Sequence, residues 1–105
     1  MTACLVYITA RDPEEAVGIG RDLVEKRLAA CANVHGSIVS IFRWKGDVQE
    51  DQESVLIAKT TDDKVKALTA RVLEIHSYDC PCVVALPIAS GYSEFLNWIS
   101  AETVG

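Results

Sequence analysis

The 105-residue chain reads as one α+β domain: an antiparallel sheet with two helices on one face and a short helix at the end. Three observations lead there. Apolar runs and amphipathic stretches alternate in the order βαββαβ, followed by a last helical stretch. Most of the runs are apolar on successive residues, as strands covered on both faces are. The second and third strands are long and separated by one short turn, so they form a hairpin that outreaches either helix.

Ala3 to Thr9 is the first strand, almost continuously apolar. Asp12-Pro13-Glu14-Glu15 then opens a helix. Asp12 caps it, Pro13 takes the first helical position where its missing N–H is not needed, and Glu15 completes a capping box at the positive helix end. The helix runs to about Leu28, with Ala16, Ile19, Gly20, Leu23 and Leu28 as its inner stripe. Gly18 and Gly20 each weaken it by about 1 kcal/mol relative to Ala. Close approach to the sheet accounts for Gly20, and nothing in the sequence accounts for Gly18. Small residues from Ala29 to Val34 lead into the second strand, and His35-Gly36 marks a kink or bulge.

The hairpin follows. Ile38, Phe42 and Trp44 share one face of its first arm, and Val39 and Ile41 the other. Gly46 suits the tip because it takes φ > 0 freely. Val48 to Glu53 is polar and acidic and reads as a wide loop that becomes strand only near Glu53; the return arm ends at Thr60. Thr60-Thr61-Asp62-Asp63 caps a second helix with Val65, Leu68, Val72 and Ile75 as its stripe, ending near His76 before Pro81. Cys82 to Ile88 is a buried strand that Pro87 interrupts, and Ser90-Gly91 turns the chain into the last helix, with Phe95, Leu96 and Ile99 on its apolar side. This order packs most economically as a ferredoxin-like split βαβ fold.

Lengths make a further point. Hairpin arms of about 10–12 residues reach roughly 35 Å, whereas a helix of about 16 residues spans about 24 Å. The helices cannot cover the hairpin tip, and Trp44 is left on a long, flat, apolar arm. Such an arm is an aggregation hazard unless neighbouring copies cover it, so a symmetric oligomer is expected.

Composition narrows the function classes. Ten basic against 15 acidic residues give a net charge of −5, with no basic stripe, so nucleic acid is not an expected partner. No apolar run approaches the roughly 20 residues of a membrane span, and no signal peptide is evident at the start; the expectation is a cytoplasmic protein without a membrane partner. Cys4, Cys31, Cys80 and Cys82 match no zinc or redox spacing and read as small buried hydrophobes.

Several blocks in order carry a family resemblance over nearly the whole chain. They are Lys26 to Asn33, Ser40 to Gly46, Glu53, Lys59-Thr60, His76, Tyr78, Pro81 and Trp98. In these the chain resembles the CutA family of divalent-cation tolerance proteins. The resemblance implies a ferredoxin-like fold, a homotrimer built through long hairpins and sheet edges, an architecture shared with PII signalling proteins, and a link to copper and other divalent cations without a catalytic mechanism. The chain also departs from the family pattern. It has His76-Ser77-Tyr78 where His-Pro-Tyr is usual, Phe42 where Tyr is common, and Cys82 where Glu is common. Of the cysteine and paired histidines of copper-binding members, Ile8, Ile75 and His76 stand at the matching positions, so one ligand of the three is kept.

His76 is therefore the leading metal-ligand candidate, because imidazole suits copper and zinc. Cys82, with Cys80 beside it, is a weaker one. Trp44, Glu53, Lys59 and Tyr78 are candidates for a cleft between subunits, where Asp79 could add an oxygen ligand. Glu53 and Lys59 read first as partners in an inter-subunit ion pair, and Trp44 and Trp98 as packing residues. Cu(II) or Zn(II) are the candidate ions, and no cofactor is required. No nucleophile–base–orienter set or phosphate loop stands out, so an enzyme is not expected. The leading reading is a trimeric, metal-responsive protein. The alternatives are a PII-like module for a small anionic metabolite and a structural trimer that anchors a protein partner.

Overall fold

A computed structural model describes residues 1–104. Its elements are β1 (Ala3–Ala10), α1 (Pro13–Glu25), β2 (Cys31–Trp44), β3 (Asp47–Thr61), a turn of 3-10 helix (Asp62–Lys64), α2 (Val65–Ile75), β4 (Val83–Pro87) and α3 (Ser93–Glu102). The strands form one sheet in the order β2-β3-β1-β4, antiparallel throughout, which is the ferredoxin-like arrangement with an extended β2–β3 hairpin.

Alternation decides the two faces of the sheet. Val6, Ile8 and Ala10 of β1 and Leu56 and Ala58 of β3 are buried together with Ala16, Ile19 and Leu23 of α1 and Leu68 and Val72 of α2. Their neighbours point the other way. Tyr7 pairs with Val84 and Leu5 with Leu86 across β1 and β4, and Val84 and Leu86 are both exposed. At one end of the sheet, Ile99 of α3 closes a smaller cluster with Ala3 and Ala30.

The α1 start forms as its sequence dictates: Asp12 accepts a 2.8 Å hydrogen bond from the Glu15 N–H. The reciprocal bond comes from Arg11 N–H to Glu15 Oε1, at 3.1 Å, one residue earlier than in a standard capping box. The helix stops at Glu25, short of Leu28. Leu28 N–H bonds Leu23 O and Arg27 N–H bonds Val24 O, the paired closure of a Schellman motif, and Arg27 takes the left-handed conformation (φ 57°) that glycine usually supplies.

Three further elements differ from the sequence expectation. The acidic stretch after the tip is not a loop. It is laddered from Asp47, and Trp44 pairs directly with Asp47. Lys45 and Gly46 both have positive φ, the requirement of a two-residue primed turn, and that turn fixes the register for the whole polar arm. Thr60 and Thr61 do not cap α2; they are buried in β3, and Thr60 Oγ1 donates to Leu28 O at 2.7 Å. The bulge lies where a kink was expected, between His35 and Ile38, but its left-handed residue is Ser37.

Among the described residues, no helix is long and apolar enough to cross a membrane. The molecule measures 44 × 26 × 22 Å, and the 13-residue α1 is only about 20 Å long. The arm beyond the helices keeps its apolar side chains in solvent: Ile41 is 69% and Trp44 45% exposed.

Candidate functional site

The site lies where β4 begins. β4 pairs with β1 only as far as Ile8, so the next carbonyl on that edge, Thr9 O, has no strand partner. The chain from α2 crosses the sheet edge there. His76 Nε2 lies 2.7 Å from Thr9 O. A carbonyl only accepts, so Nε2 carries the proton. Nδ1 then has the free lone pair, and it accepts the Tyr78 N–H at 3.0 Å. Ser77 N–H donates to Glu15 Oε2 at 3.0 Å, tying the crossing to the start of α1. Burial works against the charge on Glu15, but the bonds from Arg11 and Ser77 outweigh it and hold this carboxyl below its usual range.

The crossing delivers Tyr78 to the open face. Its ring stands 4.7 Å from that of His76, centroid to centroid, and its hydroxyl donates to Glu53 Oε2 at 2.7 Å. Burial, followed by the Glu53 hydrogen bond and the charges of Glu53, Glu15 and Asp51, pushes the phenol well above its ordinary pKa.

Beside this contact runs a groove of about 570 Å³ between the hairpin and the 77–82 segment. The hairpin side carries Phe42, Trp44, Asp51 and Glu53, and the crossing segment adds Tyr78, Asp79, Cys80 and Cys82. Register explains the grouping. After the bulge, even-numbered β2 residues pair with odd-numbered β3 residues, Ser40 with Asp51 and Phe42 with Gln49, so apolar and acidic side chains share one face.

The structure thus brings together Trp44, Glu53, Tyr78 and Cys82 of the expected site residues. It does not bring in Lys59, which donates a hydrogen bond to Asn33 Oδ1 and pairs opposite Cys31, about 20 Å along the strand from Glu53. Asp51 was hidden from sequence reasoning by the apparent loop. The signal for it was the two-residue turn, which sets the pairing of the acidic stretch residue by residue.

The metal expectation does not fit this chain taken singly. Both ring nitrogens of His76 are engaged, which leaves no lone pair for an ion. Burial and the Glu53 charge push the Cys82 thiol up, away from the thiolate a metal needs. Among the described residues, no three or more His, Cys, Asp or Glu side chains converge to hold an ion. Cys80 departs from expectation as well, being exposed rather than buried.

The fold and groove define a ferredoxin-like α+β protein with an overlong hairpin and a cleft at its base. Residues 4–102 match the model of the CutA1 divalent ion tolerance protein family, and the chain belongs to that family. It is 46% identical over 99 residues to the divalent-cation tolerance protein CutA of Thermus thermophilus, covering 94% of this chain and 96% of that protein. Its identity to the corresponding Archaeoglobus fulgidus protein is 44% over 99 residues, covering 94% and 95%. The solved Thermus thermophilus structure superposes with a TM-score of 0.95 at 45% identity, over 97% of this chain and 99% of that one. A structure of the Archaeoglobus fulgidus protein, described as periplasmic, superposes with a TM-score of 0.94 at 40% identity, over 97% and 99%.

Proposed function

We propose that the chain is the protomer of a homotrimer that serves, without catalysis, in the cellular response to divalent cations. Family membership supplies the cation link. The observation that supports assembly is the solvent-exposed apolar arm, with Val39, Ile41 and Val48 each more than 60% exposed; a monomer would carry this as an unprotected sheet surface. Three copies place each arm against a neighbour and turn the groove beside Tyr78 into a cleft between subunits.

Copper or zinc enters this role as the ion responded to. A direct Cu(II) or Zn(II) site requires donors from more than one copy, since the described residues of one chain bring no three such side chains together. The cytoplasm is the proposed compartment, and four free cysteines are at home there. An anionic metabolite is not favoured as the ligand, because among the described residues the groove is lined by three carboxylates and no basic side chain.

Light scattering on the purified protein tests the assembly. The expected mass is three times the 11.4 kDa of one chain, and a one-chain mass overturns the reading. Titration calorimetry with Cu(II) and Zn(II) tests the cation site. A cleft shared by two neighbours repeats three times in a trimer, so the expected stoichiometry is one ion per chain, or one per three chains on the threefold axis, and binding that survives in a one-chain form would contradict a shared site.

A further inference from the structure

The groove has chemistry that a metal ion does not need. Its walls are aromatic as well as acidic: Phe42, Trp44 and Tyr78 line it together with Asp51, Glu53 and Asp79. Among the described residues, none of these three carboxylates has an ion-pair partner; the salt bridges belong to other acids. Glu53 spends one oxygen on the Tyr78 hydroxyl, and Asp51 spends one on the Gln52 N–H. Each retains an acceptor oxygen. The same negative charges contribute to the raised pKa values of Tyr78 and Cys82.

These observations select a kind of ligand. A volume of about 570 Å³ is in the range of small-molecule pockets. Carboxylates without counter-charge attract a cation, and the faces of Trp44, Phe42 and Tyr78 stabilise one that is weakly hydrated. A bare metal ion requires converging donors, which are absent among the described residues. An ammonium on a carbon stem does not: its head donates hydrogen bonds to separated carboxylates while its stem lies on the rings.

We propose that this groove is a binding site for a small organic cation, an alkyl- or arylalkyl-ammonium with an apolar stem. The site goes beyond the metal-response reading, and in the trimer of that reading it lies in the cleft between subunits.

The test is a fluorescence titration of the purified full-length protein with 1,4-diaminobutane and with phenethylamine, at constant ionic strength. Trp44 supplies the signal, and Trp44→Phe identifies it against Trp98. A saturable change is expected with at least one amine, weakened by about tenfold or more in Asp51→Asn/Asp79→Asn. Citrate at matched ionic strength is expected to give none. Circular dichroism and light scattering on the double variant check that fold and mass are kept. If that variant does not fold, Asp79→Asn alone is read, with a smaller loss of the same sign. No saturable change with either amine, equal affinity in the folded variant, or the same response to sodium chloride overturns the site. A monomer that still binds amines would overturn the trimer alone, and a trimer that does not bind them would overturn this inference alone.

Discussion

The helix-covered body and the hairpin arm are parts of one sheet, yet they reach order by different means. In the body, Ile8, Leu23, Leu56, Leu68 and Val72 are fully buried, and each element closes on another of the same chain. On the arm, strand pairing between β2 and β3 continues without interruption from Ile38 to the tip, but Val39, Ile41 and Val48 find no cover. Backbone pairing alone can extend a hairpin; it cannot desolvate one. The difference separates what this chain stabilises by itself from what it offers to a partner.

Mutations that strike one region and spare the other break or sharpen this contrast. The largest effect is expected in the body. Leu56→Ala removes a fully buried side chain and should lower unfolding stability by about 2–5 kcal/mol, read by urea denaturation, without changing the mass in solution. Ile41→Asp on the arm should do the reverse. Ile41 is exposed in the single chain, so its substitution should leave the circular dichroism of the body intact while shifting the light-scattering mass toward one chain. If Ile41→Asp leaves the mass unaltered, that face of the arm takes no part in assembly.

His76 stands at the joint between the regions. His76→Ala leaves Thr9 O and the Tyr78 N–H without partners, at a cost of about 1–3 kcal/mol. Thermal unfolding measures the loss. Isotherms for Cu(II) and Zn(II) should superimpose on those of the wild type, because the ring offers no lone pair; a lost binding event in the variant would restore His76 as a ligand.

The body was largely legible in the sequence and the cleft only partly. Asp12-Pro13-Glu14-Glu15 announces α1 because capping is local chemistry, and the stripe of α2 is visible because burial has a period. The acidic residues 48–53 misled because composition pointed to a loop, whereas strand pairing there follows from the turn at Lys45-Gly46. Trp44, Glu53 and Tyr78 could be singled out, but the absence of Lys59 from their groove follows from its distance along β3. His76 looked like a ligand because residue type gives its lone pairs no direction. Their fate depends on β4 starting only at Val83 and leaving Thr9 O open, a long-range fact that no local pattern carries.

Acid should test the outer seam of the body next. Arg71 donates two 2.8 Å hydrogen bonds to Asp22, and these, with the Lys26 contact, overcome burial to lower the Asp22 carboxyl from 3.8 to about 2. A depressed folded-state pKa means a stabilising contribution that is complete above the unfolded value. It is lost as pH falls from about 3.8 toward 2. Asp22→Asn should therefore lower stability at neutral pH and flatten its decline across that window, as followed by urea midpoints at successive pH values. A parallel decline in both proteins would mean that the Arg71 bonds do not set the carboxyl.

The smallest expected effect separates two glycines of α1, only one of which helps to close the body. A Cβ on Gly20 would lie 3.0 Å from Leu56 Cδ1 and 3.3 Å from Ala32 Cβ. Leu56 is fully buried and has little room to give, so the missing methyl lets α1 settle against the sheet. A Cβ on Gly18 would meet nothing within 4 Å, and φ is not positive there, so glycine serves no packing or backbone need. Gly18→Ala should stabilise the protein by about 0.5–1 kcal/mol through helix propensity and a less flexible unfolded chain. Gly20→Ala gains the same propensity and loses more to overpacking, for a net loss of about 1 kcal/mol. Urea midpoints that move in opposite directions would place the helix-to-sheet contact at Gly20; a shared rise would show that Leu56 yields, and that this part of the body is less tightly closed than its burial implies.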